Sequence, residues 1–121
     1  MKKHLIIFLL VALVSLSFNV DLVKANNLSN KLKGRILIEA EGSGELWYVN
    51  PSNMNRYYLG GINGVLNIMS RLGLGISNKN FDSLDETRLK KLAGKILLKV
   101  EDSGKAYYIN PLDLKLYYLG A

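Results

Sequence analysis

The side chains of this 121-residue chain best suited to chemistry are aromatic, and they come in adjacent pairs: Trp47-Tyr48, Tyr57-Tyr58, Tyr107-Tyr108 and Tyr117-Tyr118. Tyrosine and tryptophan offer rigid flat surface with a polar edge, which suits stacking on sugar rings or covering a partner protein. Neighbours on a strand point to opposite faces, so each pair is expected to send one ring into the core and one to the other side. Aromatics also favour strands for ordinary cross-strand packing, and the sequence leaves both roles open. On the binding reading, Trp47, Tyr58, Tyr107 and Tyr118 form a ligand-facing row. Arg56, beside Tyr57, adds a contact to an anionic group, although Leu116 stands at the matching place later in the chain.

Catalytic constellations are scarce. There is no cysteine, and the single histidine is His4. A chain processed beyond His4 has neither a serine–histidine nor a cysteine–histidine nucleophile, and no ordinary zinc site. Glu39, Glu41 and Glu45 gather carboxylates that a glycosidase could use across a sugar bond. Lysines stand 60 residues after two of them, at Lys99 and Lys105, so cross-strand Glu–Lys pairing accounts for the arrangement as well. No D-x-D-x-D-G calcium loop occurs. The run Gly73-Leu-Gly-Ile-Ser77 lacks the G-K-[ST] of a phosphate loop and follows a helical pattern instead of preceding one. The expectation is a protein that is not an enzyme, with no cofactor and no metal.

The elements that must position the aromatic pairs are written twice. Residues 34–61 return without a gap as residues 94–121, an offset of 60, with 13 of 28 positions identical. The identities include Gly34/Gly94, Tyr48/Tyr108, Asn50/Asn110, Pro51/Pro111 and the run Tyr57-Tyr58-Leu59-Gly60 against Tyr117-Tyr118-Leu119-Gly120. Such a repeat fixes the structural unit. Within it, Ile36, Ile38 and Ala40 alternate with Leu37, Glu39 and Glu41, the period-2 signature of a half-buried strand. Leu37 and Leu97 lie on the outer side of that alternation, a hint of cover there too. Gly42-Ser43-Gly44 signals a turn, Glu45 to Val49 a second strand, Asn50-Pro51 its end, and Arg56 to Leu59 a third. Each repeat therefore reads as a three-stranded antiparallel meander, too small to stand alone.

Between the repeats, residues 62–93 turn helical. Val65, Leu66, Ile68, Met69 and Leu72 follow i, i+3, i+4, i+7 spacing, with Asn63 as N-cap and Gly73 as a left-handed C-terminal residue. Gly73 to Asn78 reads as a connector, and Ser83-Leu-Asp-Glu86 as the capping box of a second helix. The fold class is α+β: two three-stranded antiparallel β-meanders, an internal duplication, joined by two short helices.

Residues 1–25 have the form of a secretory signal peptide: basic Lys2 and Lys3, an apolar run from Leu5 to Phe18, and a cleavage site near Ala25. The alternative is an uncleaved anchor, but fourteen helical residues span only about 21 Å of a core of roughly 30 Å. Residues 26–33 read as a flexible lead-in, and 34–121 as a single duplicated domain. The formal charge is +6, and removing Lys2, Lys3, Lys24 and Asp21 leaves 13 basic and 9 acidic residues. That excess suits an anionic envelope surface or simple solubility; its interspersed signs give no basic stripe for nucleic acid.

Gly34-Arg-Ile-Leu-Ile-Glu-Ala-Glu41, Trp47-Tyr-Val-Asn-Pro51, Arg56-Tyr-Tyr-Leu-Gly60 and Ile68-Met-Ser-Arg-Leu-Gly-Leu-Gly-Ile-Ser-Asn78 together resemble a W-Y-V-N-P / R-Y-Y-L-G repeat module of exported bacterial proteins without assigned chemistry. The likeness covers residue 34 to about 78 and again 94–121. It departs at the third turn, where the module's Asp-Gly is Asn53-Met54 and Asp113-Leu114, so the loop should be longer than two residues. The second repeat also lacks a trailing helix. The resemblance implies an accessory or surface role, often beside other extracellular domains. The functional expectation is an exported, secreted or cell-surface or periplasmic binding module for a cell-envelope glycan or envelope protein. The alternative is a structural protein that assembles as a homo-oligomer through its sheets.

Overall fold

The computed structural model describes residues 24–120. The expected signal peptide lies outside the described residues except for its last two positions. The chain divides into two units between Leu32 and Lys33. The first holds helix α1, residues 24–32, where a flexible lead-in was expected. Its asparagines resemble loop sequence, but asparagine lowers helix propensity only by tenths of a kcal/mol, ~0.7 at most. Among the described residues no helix is long and apolar enough to cross a membrane.

The second unit is α+β, with two sheets. Strands β1 (Ile36–Ile38), β2 (Leu46–Val49) and β3 (Arg56–Tyr58) form an antiparallel sheet in that order. Helices and one more strand follow: α2 (Gly61–Leu72), β4 (Leu74–Ile76), α3 (Asn78–Asp82) and α4 (Glu86–Lys91). Strands β5 (Ile96–Lys99), β6 (Lys105–Ile109) and β7 (Leu116–Tyr118) then pair antiparallel, with β4 parallel to β5, giving a four-stranded mixed sheet β4-β5-β6-β7.

The stretch between the repeats is thus three helices and a strand, not two helices and a connector. Leu74-Gly-Ile76 is too short to show a period, and only its pairing with Leu97–Lys99 makes it a strand. Helix α2 starts at Gly61, ahead of Asn63, with no side-chain cap. Gly73 is extended (φ −66°, ψ 138°) and not left-handed. Space demands this glycine: a Cβ there would strike the Met69 carbonyl and lie 2.6 Å from Leu98 Cδ1. Asp85, not Ser83, caps α4, accepting from the Arg88 N–H at 2.8 Å. Ser83 instead takes the Arg88 guanidinium on its Oγ at 2.8 Å, so the acid two residues closer to the helix wins the cap.

The registers of the two sheets match at the repeat offset. Ile36 faces Tyr48 and Ile96 faces Tyr108; Trp47 faces Tyr58 and Tyr107 faces Tyr118. The third loops match as well: Asn50 N–H donates to Asn55 O and Met54 N–H to Asn50 O, as Asn110 does to Lys115 and Leu114 to Asn110. Met54 (φ 62°) and Leu114 (φ 57°) are forced left-handed without being glycine. The core is Tyr48, Met69, Ile96, Ala106 and Tyr108, against which Val65, Ile68 and Leu72 of α2 pack together with Tyr57, Leu59, Leu98 and Leu119.

The repeats meet at a pair of glycines. Gly34 (φ +75°) and Gly94 (φ +79°) touch backbone to backbone, and a Cβ on Gly34 would lie 2.5 Å from the Gly94 Cα. Beside this crossing the Tyr48 hydroxyl donates to Gly94 O at 2.7 Å, and the Tyr108 hydroxyl donates to Gly34 O at 2.8 Å. Each half therefore satisfies a buried carbonyl of the other. Burial pushes both phenols up, Tyr108 to about 12 and Tyr48 further, so both remain protonated donors through neutral pH.

Candidate functional site

The aromatic pairs divide by strand. On β2 and β6 one ring of each pair goes inward: Tyr48 and Tyr108 are buried, while Trp47 and Tyr107 are half-buried on the opposite face. On β3 the inward ring is Tyr57, which packs against the core without being fully buried, and on β7 the expectation of one core ring fails. Tyr58 and Tyr118 are exposed, Tyr117 is exposed and Tyr57 only half-buried. These strands lie at sheet edges, where the inner face has little above it. The Tyr57 hydroxyl instead accepts from Asn53 Nδ2 at 3.1 Å, and the Tyr117 hydroxyl donates to Asp113 Oδ2 at 2.6 Å.

Trp47, Tyr58 and Arg56 come together. Register places Tyr58 opposite Trp47, with ring centroids 5.2 Å apart and planes at 45°. Arg56 faces Val49, the next residue on the Trp47 side, and its guanidinium lies 5.7 Å from the indole centroid, within cation–π range. The Tyr58 ring lies over Gly60, where any Cβ would collide with it. That contact gives the Tyr-Leu-Gly run a physical reason: glycine two residues on is the floor for the ring. Leu37, Ile38, Glu39, Glu45, Trp47 and Arg56 line a shallow cleft of about 280 Å³ on this face. An apolar wall, an indole, a guanidinium and two carboxylates border one space. Such a mixture can stack on a pyranose ring and hydrogen-bond its hydroxyls.

Tyr107 and Tyr118 repeat the same pair on the second sheet, 5.3 Å apart at 45°, with Tyr118 over Gly120. Here the cover differs. Phe81 of α3 packs on Tyr107 at 4.8 Å and 51°, and Lys99 Nζ sits 4.8 Å from the Phe81 centroid. Leu97 beneath is fully buried, while its counterpart Leu37 is half-exposed. The five expected site residues therefore form two clusters, not one row, and only the Trp47–Tyr58–Arg56 cluster lacks an aromatic cap from a helix of its own unit.

The carboxylates resolve differently from the sequence reading. Lys99 and Lys105 pair with Asp102 of their own hairpin, at 3.6 and 3.1 Å, and not with glutamates of the other repeat. Lys105 holds Asp102 below the usual carboxylate range, first through the hydrogen bond and then through charge. The turn supplied a nearer partner than any cross-sheet one. Glu39 folds its carboxylate over Gly42 and borders the Trp47 cleft. Sequence reasoning missed Glu39 and Glu45 as neighbours of the ring cluster. Their side of the strand was readable from the alternation, since Leu37, Glu39, Glu45 and Trp47 share one face. Among the described residues no group of three acidic or imidazole side chains is placed to hold a metal.

No family model matches the chain, and no characterised protein or solved structure matches it either.

Proposed function

We propose that the protein is an exported, non-catalytic binding module that takes a cell-envelope glycan on the outer face of its first sheet. The observation that carries this reading is the uncapped Trp47–Tyr58–Arg56 cluster, whose counterpart on the second sheet is closed by Phe81. An indole and a phenol at a 45° tilt form an angled platform, and Glu39, Glu45 and Arg56 supply polar partners at its rim. The second cluster is the scaffold copy. Export with cleavage near Ala25 is part of the same proposal, and it rests on the amino-terminal pattern of charge and hydropathy.

We infer also that the two sheets descend from one ancestral unit by duplication, as in the exported W-Y-V-N-P module that the sequence resembles. The support is the shared offset of 60 in the antiparallel registers of the two sheets and in the reciprocal Tyr48–Gly94 and Tyr108–Gly34 hydrogen bonds.

Trp47 is the sole tryptophan, so its fluorescence reports the site directly. Soluble cell-wall oligosaccharides should shift or quench that emission to saturation. The double substitution Trp47→Ala with Tyr58→Ala should lose retention on insoluble cell wall while keeping the fold. Unchanged retention by that variant would end the stacking proposal.

A further inference from the structure

The first sheet has an open edge that its counterpart lacks. Strand β5 carries β4 on its outer side, whereas β1, at the matching place, carries no strand among the described residues. Val49 N–H donates to Arg35 O, and Glu39 N–H donates to Glu45 O. Odd-numbered residues of this segment therefore bond to β2, and the N–H and C=O of Ile36 and Ile38 point away from it. The side chains on the strand are Ile36, Leu37 and Ile38, with no lysine or proline among them to blunt the edge. Ile38 is 69 % exposed and Ile36 39 %, while Ile96 at the position of Ile36 is 5 % exposed.

We propose that β1 pairs antiparallel with β1 of a second copy of this chain, about a two-fold axis through Leu37, joining the two first sheets into one of six strands. This inference stands independently of glycan binding. Its register is set by two conditions. The outward-facing amides must meet each other, which places Ile36 opposite Ile38 of the other copy and forms four backbone hydrogen bonds. Arg35 then falls opposite Glu39 of the other copy at both ends, because both residues continue the strand on the same face. An isologous contact must be self-complementary, and a basic residue and an acidic residue equidistant from the central Leu37 meet that requirement. The pairing also sets the exposed Ile38 of each copy beside Ile36 of the other. It sets the two Trp47 clefts on one face of the joined sheet, so that the dimer would grip a polymeric ligand twice.

The test is sedimentation of the protein purified after expression of the full chain, with folding followed by circular dichroism. The wild type should show a concentration-dependent dimer. Arg35→Glu alone should weaken it by about tenfold or more in dissociation constant, since two attractive pairs become repulsive. Glu39→Arg alone should do the same, and an equimolar mixture of the two variants should recover a heterodimer of wild-type strength. Within one chain Arg35 and Glu39 are four strand residues apart, so no effect confined to the monomer produces that recovery. A wild type that stays monomeric at high concentration overturns the proposal. So does a mixture of folded variants that fails to pair. Growth beyond a dimer would also overturn it, in favour of head-to-tail addition of β4 of one copy to β1 of the next.

Discussion

On the first sheet Trp47 and Tyr58 tilt against each other with Arg56 beside the indole; on the second, Tyr107 and Tyr118 hold the same tilt under Phe81. The strands beneath are in the same register, and the ring separations agree to within 0.1 Å, 5.2 against 5.3. What differs is the neighbourhood. Helix α2 packs against a core that both sheets share, but the second sheet alone carries β4 on its edge and Phe81 of α3 on its outer face, so its aromatic pair serves packing. The first sheet keeps the pair and, among the described residues of its unit, not that outer cover. A shared motif thus says little about role until its surroundings are known, and the contrast between the copies separates a covered aromatic pair from an uncovered one within one chain.

The comparison can be broken most severely at the glycine crossing. Gly34→Ala and Gly94→Ala each place a methyl group in the other half's backbone at positive φ. Each should cost about 3 kcal/mol or more in chemical denaturation. Near-equal losses would mark the crossing as symmetric, and a loss confined to one variant would show that one half bears the contact alone.

The aromatic faces should then respond unequally. Tyr107→Ala removes a ring held by Phe81 and Tyr118 and should destabilise by about 3 kcal/mol. Trp47→Ala, on the open face, should cost about half as much, although it deletes the larger side chain. Equal costs in thermal or urea unfolding would mean that the first face is as closed as the second.

A smaller, symmetric effect is expected for Tyr48→Phe and Tyr108→Phe. Each leaves a buried carbonyl of the opposite repeat without its donor, at about 1–2 kcal/mol. The two losses should be similar, with the double variant testing whether the bonds are coupled.

The smallest effect comes from acid. The Tyr117 hydroxyl and the Lys115 N–H hold Asp113 below the usual carboxylate range, while Asn53 at the matching place carries no charge. A depressed carboxylate stabilises the fold above its unfolded pKa, and that contribution is lost as pH falls through the folded value. Amide exchange at residues 113–117 should therefore quicken in acid below the ordinary aspartate range, with residues 53–57 less affected. Matching acid responses in both loops would exclude Asp113 as the cause.

Much of this was legible because strands repeat every two residues. Alternation at Ile36–Ile38 and the breaks at Gly42-Ser-Gly44 and Asn50-Pro51 mark strands and turns from local chemistry alone. Leu74–Ile76 was illegible, because three residues carry no period and only the exposed side of β5 makes them a strand. The caps of α2 and α4 shifted because several residues could serve and tertiary placement chose among them. At the candidate site, the meeting of Trp47, Tyr58 and Arg56 follows from register, which the repeat suggested. The closing of Tyr107 by Phe81 does not, since it depends on where a five-residue helix lands. The pairing of Lys99 and Lys105 with Asp102 was likewise hidden behind a plausible glutamate partner across the repeats.

The reciprocal clasp at Gly34 and Gly94 carries a consequence for the order in which the chain can take shape. Tyr48 finds its acceptor only when residue 94 is present, and the Gly34 carbonyl waits for Tyr108. A growing polypeptide must therefore extend past residue 108 before both halves of the clasp can form. Until then the Gly34 carbonyl has only water as partner, so the first repeat is completed by a strand made long after its own.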